Sequence, residues 1–212
     1  MSIQSHPEHA ALRAGAEALA QEFAGTFNAQ TITRFLESSY DDLAASATTL
    51  AYLPVLAERF ARERLTALAR LKGHRPDGKP VVLFLCMHNA GRSQMALGFF
   101  HHYAVDQAIG WSGGSTPAGG LSPIAVEVMA EVGIDISKEY PKPWTDEVVQ
   151  AADVVITMGC GEACPIIPGK RYEEWSVQDP ETGDLAHARS VRDAIREQVV
   201  GLLGELGIAT DA

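Results

Sequence analysis

The sequence predicts an α/β protein, with a parallel four-stranded sheet flanked by helices and preceded by a small three-helix domain. Three observations carry that expectation. Before residue 80, apolar residues recur only at helical spacing, with no strand-like alternation. After it, short continuous apolar runs alternate with helical stretches, the pattern of a parallel sheet buried on both faces. Between the two lies KGHRPDGKP, residues 72–80, whose Gly, Pro and charge mark a boundary. The predicted domains are 1–75 and 79–212.

In the first domain, Leu12, Ala16, Leu19 and Phe23 predict a helix over 7–23. Ile32, Phe35, Leu36, Tyr40 and Leu43 predict a second over 31–47, with Asn28 and the threonines around Ile32 as caps. Leu56, Phe60, Leu65 and Leu68 predict a third over 53–71. In the second domain, VVLFL at 81–85 reads as a buried strand, followed by a glycine-containing turn and a helix from about 93 to 103. A short strand over 109–112 is ended by GGSTPAGG. A helix over 123–132 stops at Gly133 and Ile134, and another spans 145–151. Strands at 153–158 and 171–177 and a long helix over 187–206 complete the chain.

The 212 residues are 46% apolar and 21% charged, and the mean hydropathy is near zero, as in globular domains with a real core. A formal net charge of -10 argues against non-specific nucleic-acid binding, which needs a basic face. A local basic pocket for a small anion remains compatible with it. The N-terminus shows no basic patch followed by an apolar run, and no segment approaches the roughly 20 apolar residues that span a bilayer. The expectation is a cytoplasmic protein with no membrane partner. Three cysteines make a poor disulfide framework; in that compartment catalysis, metal binding or redox work is commoner.

The sequence VVLFLCMHNAGRSQMA sets Cys86 directly after a strand and Arg92 just before a helix. Five intervening residues let the backbone curl into a cup whose N–H groups converge at a helix N-terminus, a site for a tetrahedral oxyanion. Met87, His88, Asn89, Ala90, Gly91, Arg92 and Ser93 are the expected binding residues. The Arg92 guanidinium can grip two oxygens at once, which Lys cannot. The same field favours thiolate over thiol at Cys86. Ser93 can donate to the sulfur, Asn89 can brace the loop, and Gly91 permits positive φ in the turn. A bare C-x5-R arises often by chance; its place between strand and helix is what gives it weight.

CMHNAGRS, residues 86–93, resembles the signature of the low-molecular-weight protein tyrosine phosphatases and of the thioredoxin-coupled arsenate reductases built on the same fold. The resemblance covers roughly 79–208 and does not by itself separate the two activities. A reductase must deliver two electrons to arsenic, and a second thiol does this by attacking the sulfur of the arsenic adduct. DVVITMGCGEACP places Cys160 and Cys164 after a buried strand, at the sheet edge that gathers the Cys86 loop. On one helical turn their Cβ atoms would lie about 5–6 Å apart. The resemblance implies a relay from Cys86 to Cys160 to Cys164, with thioredoxin as external reductant and no bound cofactor. The better-known reductases separate the relay pair by six residues, whereas here only three intervene. Reductases that use a low-molecular-weight thiol carry a lone catalytic cysteine, so three cysteines favour thioredoxin. Cys86, His88, Cys160 and Cys164 would also make a set of zinc ligands, but a metal would quench the thiolate. No metal is expected.

Asp179, followed by Pro180, matches the Asp-Pro pair that supplies the general acid in these relatives. Phosphatases often follow that pair with aromatics that wall in a phenyl ring; here Glu181, Thr182 and Gly183 follow, which favours a small inorganic oxyanion. His101 and His102 read as surface residues, and Trp144 and Trp175 as packing. The N-terminal helices, with nearly balanced charge, resemble the extension of some arsenate reductases, where it accompanies dimers. The expectation is a homodimeric arsenate reductase using arsenate and thioredoxin. The alternatives are a phosphatase, or a non-catalytic module that holds an oxyanion or arsenite.

Overall fold

The computed structural model describes residues 7–48, 51–75, 78–159, 164 and 166–210. They fall into two compact units, Met1–His74 and Arg75–Ala212.

The first unit is built from α1 (Pro7–Glu22), α2 (Ala29–Ala44) and α3 (Leu53–Leu71). Asn28 caps α2 as expected, its Oδ1 accepting from the Thr31 N–H at 2.8 Å. Pro54 opens α3, where a missing N–H costs nothing. Leu19, Ile32, Leu36, Leu43, Leu53, Phe60 and Leu65 are buried. The Arg64 guanidinium lies over the rings of Phe35 and Phe60, at 5.0 and 5.4 Å, and donates to the Ser38 and Ser39 hydroxyls.

The second unit carries β1 (Val81–Cys86), α4 (Arg92–Ala104), β2 (Ile109–Gly114), α5 (Pro123–Ala130), α6 (Asp146–Ala151), β3 (Val154–Met158), β4 (Arg171–Glu174) and α7 (Leu185–Glu205). The four strands form one sheet in the order β2-β1-β3-β4, and every pairing is parallel. All six residues of β1 are buried, which is why that strand reads as an unbroken apolar run. Val82, Phe84 and Cys86 share their face with Val154, Ile156 and Met158, and pack against Met95 and Phe99 of α4, Val128 and Met129 of α5, and Ile195 and Val199 of α7. The edge strand β4 is only partly covered and is three residues shorter than the pattern predicts.

Strand β2 runs two residues further than the sequence suggested. A Cβ on Gly113 would sit 3.0 Å from the Trp144 backbone, and one on Gly114 would sit 2.7 Å from the Met87 carbonyl oxygen. The glycines are there for close approach, not for a turn. Helix α5 ends as Gly133 implied, though earlier. Ile134 N–H reaches the Met129 carbonyl, and Gly133, at φ 79°, donates to Ala130.

From β1 the chain passes to β2 on one side, and later to β3 on the other. The crevice at such a reversal, outside the carboxyl ends of the strands, is where α/β sheets place ligands. Here it lies between Cys86 and its register partner Met158.

One residue is held against its preference. Val105, after α4, has φ 48° and ψ -119° and is 68% exposed. A β-branched side chain is disfavoured there, at a cost of about 1 kcal/mol or more. Val105→Gly is expected to raise unfolding stability by about 1 kcal/mol, read from urea denaturation. An unchanged or lower midpoint would contradict the strain.

Candidate active site

Cys86 is the last residue of β1 and Arg92 the first of α4, so five residues turn the chain from strand to helix. Their carbonyls are held from outside the loop. Thr116 N–H donates to the Met87 carbonyl at 2.8 Å, Ala118 to His88 at 3.0 Å, and Ser122 to Ala90 at 3.0 Å. Gln94 Nε2 donates to the Asn89 carbonyl at 3.0 Å. In a trans peptide the N–H points opposite the C=O. Fixing four successive carbonyls outward therefore leaves the following N–H groups to face the centre, beside the first turn of α4.

Asn89 braces the loop as expected. Its Oδ1 accepts from the Lys142 backbone N–H at 3.0 Å, and a backbone N–H can only donate, so the orientation of the amide is fixed. Nδ2 then faces Ser93 and donates to its Oγ at 2.8 Å. The same Ser93 Oγ lies 3.0 Å from Cys86 Sγ, in hydrogen-bond contact with it. The positive φ falls on Asn89, at 49°, and not on Gly91, whose φ is -119°. Asn tolerates the left-handed region, and its tethered side chain holds it there. Gly91 serves another purpose: a Cβ there would lie 3.2 Å from Pro180 Cγ.

An open cleft of about 280 Å³, its mouth included, is lined by Cys86, His88, Ala90, Gly91, Arg92, Ser122, Asp179 and Glu181. Of the expected loop residues, Asn89 and Ser93 act from behind the wall, both fully buried. Met87 lends its carbonyl to Thr116 and leaves its side chain 41% exposed. Ser122 was not anticipated as a wall residue; its place before Pro123 signals the cap of α5, where its Oγ accepts from Ala125 N–H, but not the nearness of the cleft.

Asp179 reaches the cleft from the other side. Its Oδ2 is 3.3 Å from Arg92 Nη2, and its Oδ1 accepts from the Glu181 N–H at 3.0 Å. Pro180, buried, begins a short 3-10 turn and seats against Gly91.

The end of β3 passes beside Arg92. Gly159, at φ 69°, passes so near Arg92 that a Cβ would meet Nη1 at 2.6 Å. Cys160 lies outside the described residues, with 161–163. Cys86 is a free, buried thiol. Among the described residues, no group of three or more His, Cys, Asp and Glu is arranged to hold a metal. His101 and His102 are exposed on α4, and Trp175 packs in the core against Phe84, their rings 5.8 Å apart. Arg171 pairs with Glu173 and Glu205, away from the cleft residues.

The model of the family described as low molecular weight phosphotyrosine protein phosphatase matches residues 81–210. The chain belongs to the low-molecular-weight phosphotyrosine protein phosphatase family. Residues 12–69 match a second family, described as the N-terminal domain of protein-tyrosine-phosphatase-like proteins. An arsenate reductase of Halalkalibacterium halodurans is 38% identical over 131 residues, which is 57% of this chain and 93% of that protein. One from Bacillus subtilis is 38% identical over 125 residues, 54% of this chain and 88% of that protein. The solved structure of a thioredoxin-dependent arsenate reductase of Corynebacterium glutamicum is similar at a TM-score of 0.82. It is 40% identical and covers 92% of this chain and 96% of its own.

If the Ser93 hydroxyl stabilises negative charge on the sulfur, Ser93→Ala should slow alkylation of Cys86 by iodoacetamide. The expected loss is about fivefold at pH 6 in the reduced protein, followed by peptide mass mapping. An unchanged rate would remove Ser93 from that role.

Proposed function

We propose that this chain is a thioredoxin-coupled arsenate reductase that works in the cytoplasm. The observation that carries the reading is the free, buried Cys86 in the oxyanion cup, with Arg92, Asp179 and Glu181 lining the same cleft. The similarity to the Corynebacterium enzyme, which extends over both units, supports it. No helix among the described residues is long and apolar enough to cross a membrane.

In this reading, arsenate sits in the cup, held by the loop amides and the Arg92 fork. The Cys86 thiolate attacks As(V), and one arsenate hydroxyl takes a proton from Asp179 and leaves as water. The Cys160 thiolate then attacks Cys86 Sγ. The electron pair of the S–As bond stays with arsenic, which falls from As(V) to As(III) and departs as arsenite. A Cys86–Cys160 disulfide remains. Cys164 attacks Cys160, Cys86 is released as thiolate, and the dithiol of thioredoxin reduces the final bridge. The register supports the first handover. Met158 pairs with Cys86, and two residues of chain from Met158 to Cys160 span at most about 7 Å. Glu181 at the cleft, where an aryl ester would need an apolar wall, supports an inorganic substrate.

The test is arsenate-dependent oxidation of NADPH in the presence of thioredoxin and its reductase. Turnover is expected for the native chain. Cys160→Ser should stop after one arsenic adduct per chain, and continued cycling would refute the relay. Hydrolysis of an aryl phosphate without arsenate turnover would identify a phosphatase, and neither activity would leave an oxyanion-binding module.

The N-terminal helices are proposed to join two copies of the chain, since a three-helix unit of this size buries little core alone. Light scattering should give a dimer for the full chain and a monomer for a chain beginning at Gly78. A dimer that survives the truncation would sink this proposal.

A further inference from the structure

We propose that His187 is a positioning residue for Asp179: it clamps the backbone of the acid to the first turn of α7. This inference rests on the reading of Asp179 as the proton donor to the departing oxygen. Asp179 is partly exposed and stands on a loop, so its carboxyl position is set by what holds its own peptide.

Two side chains converge on its carbonyl oxygen. His187 Nε2 lies 2.9 Å from it, and Thr182 Oγ1 donates to it at 2.8 Å. A carbonyl oxygen can only accept, so Nε2 carries the hydrogen; neutral and protonated rings can both make this bond. The ring is fixed in turn. The His187 backbone N–H donates to Asp184 Oδ1 at 2.9 Å, the cap of α7. A Cβ on Gly183 would lie 2.6–2.8 Å from the His187 Cβ, Cγ and Cδ2, so the chain crosses directly over the imidazole. Pro180 is buried against Gly91 on the other side. The peptide of Asp179 is thus held between α7 and the Cys86 loop. Only the carboxylate, through Glu181 N–H and Arg92, is left at the cleft.

A clamp of this kind serves proton delivery and not anion binding, because neither His187 nor Thr182 lines the cleft. Its loss should therefore appear in the rate of the chemical step. The experiment is single-turnover oxidation of the reduced full chain by arsenate without reductant, with the limiting rate and the half-saturating arsenate read separately. His187→Ala should lower the limiting rate about tenfold and leave half-saturation within about twofold. His187→Gln, which keeps a side-chain N–H donor, should recover most of the rate. In an Asp179→Asn background, His187→Ala should have no further effect. A loss that falls on half-saturation, that Gln does not recover, or that adds fully to Asp179→Asn would overturn the clamp. Full activity in Asp179→Asn would overturn the assignment of the acid and the clamp with it. An inactive Asp179→Asn beside an unimpaired His187→Ala would overturn the clamp alone.

Discussion

The carbonyl oxygens of Met87, His88, Asn89 and Ala90 are all held by donors from outside the loop. Without those donors the peptide units would be free to flip, and a flipped unit would aim a carbonyl dipole at an anion. The donors come from two directions, the segment 116–122 after β2 and Gln94 of α4, while the Lys142 backbone holds the Asn89 side chain through Oδ1. The parallel sheet makes them available. It ends β1 and β2 level with each other, with Cys86 opposite Gly114, so that the chain leaving β2 runs beside the cup. Gly113 and Gly114 let it come that close.

Asn89 joins the backbone of the loop to the chemistry of its sulfur. One side chain accepts from Lys142 N–H and Gln94 Nε2, donates to Ser93, and holds its own backbone at positive φ. Through Ser93 that chain of contacts connects the Lys142 backbone to the thiol of Cys86. The network is not closed, since the Gln94 Oε1 atom is buried without a hydrogen-bond partner among the described residues.

Much of this was legible in the sequence. The unbroken run before Cys86 indicated a strand buried on both faces, and the spacing to Arg92 indicated the cup. The Asp-Pro pair pointed to Asp179. What the sequence concealed were contacts between residues far apart in the chain. Gly91 looks like a residue chosen for its φ, but what lies against it is Pro180, far along the chain. Gly113 and Gly114 look like the end of a strand, yet they belong to it. Ser122 reads as a helix cap, and nothing nearby indicates that it also walls the cleft. His187 looks like one polar residue among many at the start of a long helix. Local pattern reports a residue's own conformation and periodicity, not the neighbour that the fold brings to it.

The register between β1 and β3 has a consequence for how the relay could diversify. Cys86 stands opposite Met158 because the ladder of the sheet puts it there, and Gly159 keeps the next step of the chain hard against Arg92. In the proposed cycle, the first thiol exchange is thereby tied to rigid architecture. The second follows further along the chain, beyond that ladder. Changes in the chain beyond Gly159 would then leave the ladder that seats Cys86 as it is.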